Sequence, residues 1–78
     1  MLSLDKHSNL TVSVVNVGGL IIRILKDKQI LPFDELLALL VEEVGDEVKE
    51  VYLAALSFLF LIGKVKYYQD IDSLEFSG

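Results

Sequence analysis

The stretch from Asp46 to Phe76, DEVKEVYLAALSFLFLIGKVKYYQDIDSLEF, decides the fold. Its apolar run predicts a helix from Asp46 to Ile62, with Asp46 as cap and Gly63 as the residue that stops it. Lys64-Val65-Lys66-Tyr67 then alternates polar with apolar, Gln69 to Ser73 supplies turn residues, and Leu74-Glu75-Phe76 alternates again. This predicts a hairpin with Val65, Tyr67, Leu74 and Phe76 turned inward. A helix that runs straight into a two-stranded hairpin is the second half of a winged helix-turn-helix. A helix that reads DNA in that setting presents Arg, Lys, Asn or Gln at its start. Here the start holds Asp46, Glu47 and Glu50, so the charge contradicts the usual use of the shape and points to a partner protein.

Toward the N-terminus, Pro32 suits a first helical turn, and Asp34 and Glu35 behind it favour the positive end of a helix dipole. A helix over Pro32 to Val44 follows, with Phe33, Leu36, Leu37, Leu40, Val41 and Val44 as one stripe and Gly45 as its end. Before it, Leu10, Val14, Val17, Ile21, Ile24 and Leu25 recur at three- and four-residue spacing, which predicts a helix ending near Lys26 to Lys28 and capped by Ser8 or Asn9. Gly18-Gly19 lies inside that helix, where each glycine costs about 1 kcal/mol relative to alanine. Close approach of another helix, or a kink, is the expected compensation. A phosphate loop is excluded, because no Gly-Lys-Ser/Thr follows the pair. Residues 1–9 read as an arm or an edge strand.

With 78 residues and 8.7 kDa, the chain has room for one domain, residues 1–78, since chains of this size bury only about 60% of their unfolded surface. The apolar share is 53% and the mean hydropathy +0.52, against a usual apolar share of roughly 45–50%. A small body cannot hide that excess, so part of it is expected at an interface. The predicted third helix is apolar nearly all round, and Phe58, Phe60 and Leu61, with Tyr68 on the hairpin, are the candidate interface residues. Self-association and a different subunit are both open as partners.

The absence of cysteine removes disulfides, thiolate nucleophiles and Cys-based metal sites, and a reducing cytoplasm is the expected compartment. The opening MLSLDKHSNL lacks the basic start and apolar centre of a signal peptide. The longest uncharged apolar run, Val51 to Ile62, is too short for a membrane span of about 20 residues. No membrane role is expected.

His7 is the one histidine and falls in the short N-terminal arm, which does not support triad chemistry, and with Asp5 it supplies too few ligands for zinc, which ordinarily takes three or four. No enzyme activity, cofactor or metal is expected. Net charge is −5, and between Asp34 and Glu50 seven acids face only Lys49. Glu42, Glu43, Asp46, Glu47 and Glu50 lack the spacing of a calcium loop and read as a solvated acidic face suited to a basic partner surface. Lys64 and Lys66, beside Tyr67 and Tyr68, form the candidate nucleic-acid contact. Two lysines set against Asp70 and Asp72 are weak for that purpose, and sequence-specific DNA binding by the isolated chain is not expected.

The order of residues also resembles the middle components of bacterial ABC three-component systems, the group that includes the Lamassu-type anti-phage systems. The likeness rests on Leu4-Asp5-Lys6-His7, Val17-Gly18-Gly19, Phe33-Asp34-Glu35-Leu36-Leu37 and, most specifically, Leu56-Ser57-Phe58-Leu59-Phe60-Leu61-Ile62-Gly63-Lys64-Val65. None of these is a catalytic signature. The resemblance implies a non-enzymatic subunit that binds an SMC-like ABC ATPase and helps couple it to an effector in antiviral defence, touching DNA only through the complex.

The combined expectation is a small α+β, winged-helix-like domain of three helices and a C-terminal β-hairpin, acting as an adaptor. The alternatives are a winged-helix transcription regulator that dimerises through its third helix, which a basic surface would favour, and an antitoxin-like protein that meets a basic toxin with its acidic face.

Overall fold

The computed structural model describes residues 8–78, with side chains from Val14 onward. The proposed arm, with Asp5 and His7, therefore lies almost wholly outside the described residues. Three helices, α1 (Ser8–Lys28), α2 (Phe33–Val44) and α3 (Val48–Leu61), precede an antiparallel hairpin of β2 (Val65–Tyr68) and β3 (Ser73–Phe76). This is the α+β order expected from the sequence. A short strand, β1 (Ile30–Pro32), joins α1 to α2 and pairs antiparallel with β3, giving a three-stranded sheet in the order β1-β3-β2. β1 is not evident in the sequence, because three residues are too few to show alternation and Pro32 carries helix-start signals. Pro32 is the last residue of the strand, at φ −58 and ψ 148, and Phe33 is the first residue of α2.

The core follows from the helical periods. Val17, Ile21 and Leu25 of α1 meet Leu36 and Leu40 of α2 and the inner side of α3, formed by Val48, Val51, Tyr52, Ala55, Leu56 and Leu59. Leu31, Val65 and Leu74 close it from the sheet. Of the four hairpin side chains expected inside, Val65 and Leu74 are buried, Phe76 is half-buried, and Tyr67 is exposed. Tyr67 shares the inner pleat, opposite Leu74 in the register. It stands at the turn end of the ladder, where its phenol can stay in water and donate to the Asp72 carboxylate.

The helix ends are made by backbone more than by side chains. Asp46 does not cap α3 with its carboxylate: Val48, Lys49 and Glu50 donate to the carbonyls of Gly45, Asp46 and Glu47 at 3.0–3.2 Å, in a tight turn that supplies the first partners. At the other end Gly63 has φ 73, Lys64 N–H reaches the Leu59 carbonyl at 2.9 Å, and Gly63 N–H reaches that of Phe60 at 3.1 Å. These are the two bonds of a Schellman motif, and they require a left-handed residue where the glycine stands. The same geometry aims the chain from α3 directly into β2.

Phe33 is held from two directions. Its N–H donates to the Asp72 carbonyl at 2.9 Å, and its carbonyl accepts from the Tyr52 hydroxyl at 2.8 Å. The Phe33 and Tyr52 rings meet edge to face with centroids 5.0 Å apart, a favoured aromatic arrangement. One knot thus joins the start of α2, the middle of α3 and the hairpin turn. Burial, followed by the carboxylates of Asp34 and Asp72, pushes the Tyr52 hydroxyl above its ordinary pKa of 10.0, because each disfavours a phenolate.

The two adjacent glycines of α1 have different surroundings. Gly18 is buried against α3, and a Cβ placed there would lie 3.7 Å from Leu59 Cδ2 and 3.9 Å from Phe58 Cδ2. Gly19 faces solvent with nothing within 4 Å, so the expectation that both receive another helix holds for Gly18 alone. Gly18→Leu should overpack α3 and cost roughly 1–3 kcal/mol. Gly19→Ala should stabilise by about 1 kcal/mol through helix propensity and raise Tm by about 4–8 °C; thermal melts of the two variants check both.

Tyr52 gives a pH test. A raised folded-state pKa means that the folded protein keeps a proton which the unfolded chain loses above about pH 10. The stabilisation is complete below that pH and declines as pH rises further. Tyr52→Phe should lower stability at neutral pH by about 1 kcal/mol and show a shallower alkaline decline than the parent in urea titrations between about pH 9 and 11.

Candidate partner-binding face

The candidate interface residues are divided by their position on α3. Glu50, Leu53, Ala54, Ser57, Phe60 and Leu61 are spaced by three and four residues, so at 3.6 residues per turn they share one side, and all six are exposed. Leu61 is 85% exposed, Leu53 65% and Phe60 42%. Phe58, at 41%, belongs to a different side, with its ring next to Gly18 of α1. Leu53 is not among the residues expected at an interface, although it stands one heptad before Phe60 on the same stripe.

Next to this stripe lies a groove of about 400 Å³. Phe33, Leu53, Phe60 and Tyr67 form its apolar walls, buried Leu74 lies beneath, and Asp72 supplies its polar edge. The knot at Phe33 fixes the walls relative to one another, because α2, α3 and the hairpin turn all contribute to it.

The hairpin's outer pleat has a different character. The Tyr68 hydroxyl donates to Glu75 Oε1 at 2.6 Å, while Lys66 stands opposite Glu75 in the register. The bonds to Glu75 and Asp72 push the pKa values of Tyr68 and Tyr67 up, with lesser contributions from burial and from the carboxylate charges. Both lysines of the candidate nucleic-acid contact, Lys64 and Lys66, are exposed, but Glu75 stands opposite Lys66 and the hairpin turn adds Asp70 and Asp72.

Glu42, Glu43, Asp46, Glu47 and Glu50 are all exposed around the short turn from α2 to α3. The positive end of α3 accounts for acids at its start. It does not account for Glu42 and Glu43, which occupy the negative end of α2 with no basic residue in that last turn. Negative charge here therefore exceeds what the helices call for. Among the described residues no group of three or more His, Cys, Asp or Glu is placed to hold a metal ion, and no helix is long and apolar enough to cross a membrane.

Comparison with known proteins gives one family. Residues 29–77 match the family described as ABC-three component (ABC-3C) system Middle Component 8. Comparisons with curated proteins and with solved structures give no match. The match runs from the residue before β1 to the residue after β3 and takes in the groove, the outer side of α3 and the acidic turn. Covering more than half of the chain, it establishes that the protein belongs to the Middle Component 8 family of ABC-three component systems.

Proposed function

We propose that the chain is a non-enzymatic adaptor that binds the SMC-like ABC ATPase of its system and couples it to an effector in anti-phage defence. The proposed compartment is the cytoplasm, and DNA is met only through the complex. The observation that carries this reading is the outward side of α3, where carboxylates give way to exposed Leu53, Phe60 and Leu61. The order of elements and the sheet in which β1 joins the hairpin support a winged-helix-like frame, and in such a frame this is the side that would face DNA. A surface of this composition repels a polyanion and suits burial against protein. The shared core of the described residues supports reading the chain as one domain.

Membership in a three-component family supports partners encoded with the chain. The regulator alternative needs a basic reading surface, whereas Lys66 stands opposite Glu75 and the hairpin turn carries Asp70 and Asp72. Co-expression with the other two components of its system, followed by affinity purification through a tag on this chain, tests the reading. The expected result is retention of the ATPase component. Parallel titration of the isolated chain with duplex DNA should give no sequence-dependent binding tighter than about 10⁻⁸ M, the range of specific complexes. Specific DNA binding with no retained component would replace the adaptor with the regulator.

A further inference from the structure

The outward stripe of α3 has a direction. It begins at the acidic turn, and from Val51 through Gly63 carries no charged residue. Small Ala54 and Ser57 stand between the larger Leu53, Phe60 and Leu61, all exposed. Small residues between large ones leave a hollow into which the side chains of another helix can fit. The groove beside Phe60 extends the apolar surface toward Phe33 and Tyr67. The one ion pair among the described residues joins Lys49 to Asp46 at 3.8 Å. Glu42, Glu43, Glu47 and Glu50 have no such partner there.

We infer that the outer side of α3, with the groove beside it, docks an amphipathic helix of another component of the same system. That helix presents apolar residues to Leu53, Phe60 and Leu61, and places lysines or arginines over the acidic turn before α3. This rests on the adaptor reading and deepens it, by naming the surface and the chemistry of what binds there.

Charge decides between this occupant and a second copy of the chain. Two copies meeting in parallel through α3 would set acid against acid. In an antiparallel pair, Lys64 is the single lysine just past the helix end to meet the carboxylates of the other copy's first turn. Carboxylates that lose water without a counter-charge are costly. A basic-headed helix satisfies the acidic turn and covers the apolar stripe in one contact.

The test uses the full chain co-expressed with the other two components of its system. Leu61→Glu and Leu53→Glu break the apolar part of the face, Glu47→Lys with Glu50→Lys reverses the acidic head, and Val15→Glu places the same charge on an exposed site of α1. Retention of the partner should fall about tenfold or more in the first three variants, as for interface anchors, and stay at the parent level in Val15→Glu. Parent binding should weaken as salt rises from about 50 mM to about 500 mM, and the charge-reversed variant should lose that dependence. Circular dichroism melts verify that each variant is folded. Parent-level retention in folded Leu53→Glu and Leu61→Glu would overturn the docking surface and leave the adaptor reading standing. No retention by the parent chain would overturn both. A dimer of the isolated parent that Leu61→Glu converts to monomer would assign the stripe to a second copy and overturn the inference.

Discussion

The rotation of α3 about its own axis is the constraint on which the rest of the molecule depends. The helix is apolar on nearly every side, so hydrophobicity alone does not select an inward face. Tyr52 does, since its hydroxyl donates to the Phe33 carbonyl and its ring meets the Phe33 ring. The hydrogen bond and the edge contact together admit one rotation. Ala55 and Leu59 follow Tyr52 into the core at three and seven residues, and Gly18 lets α1 lie against Leu59. Once the inner side is set, Leu53, Phe60 and Leu61 have no place but the outer one.

The proposed function rests on this division. A chain of 78 residues has too much surface for its volume to cover an all-apolar helix on every side, so one flank of α3 remains in contact with water. In a free protein that flank is a liability; in the subunit proposed above it would be the binding face. The hairpin contributes by position, because the Schellman turn at Gly63 brings Tyr67 and Asp72 back beside α3 and turns a flat stripe into a groove. The acidic turn lies at the other end of this face, and in the proposed complex its charge would separate partners before apolar contact is made.

The helices were legible because their periods are long and their stops are strong. Gly45 and Gly63 ended α2 and α3 where positive φ is found, and the 3.6-residue spacing gave the buried residues Val17, Ile21 and Leu25 of α1 and Leu36 and Leu40 of α2, while Val44, placed in the same stripe, is exposed. Legibility failed where tertiary contacts decide. β1 exists because β3 offers it a ladder, and nothing in Ile30-Leu31-Pro32 announces that neighbour. Asp46 was expected as a side-chain cap, but a turn of backbone carbonyls took the role. Gly18 and Gly19 look alike in sequence and differ by one step of about 100° around the helix, which turns one to α3 and the other to solvent. The surplus around Phe58, Phe60 and Leu61 was visible as composition; the split that places Phe58 beside Gly18, and joins Leu53 to the outer side, required the rotation that Tyr52 sets.

The absence of cysteine makes a direct measurement of the outer face available. Leu61→Cys introduces a single thiol at the most exposed large apolar position of the described residues, and Val15→Cys does the same on α1. Maleimide labelling of each is timed with the isolated chain and with the chain assembled with the other components of its system. The account predicts fast labelling of both thiols in isolation and, on assembly, strong slowing at position 61 with no change at position 15. Labelling at position 61 that stays as fast in the assembly as in isolation would contradict it.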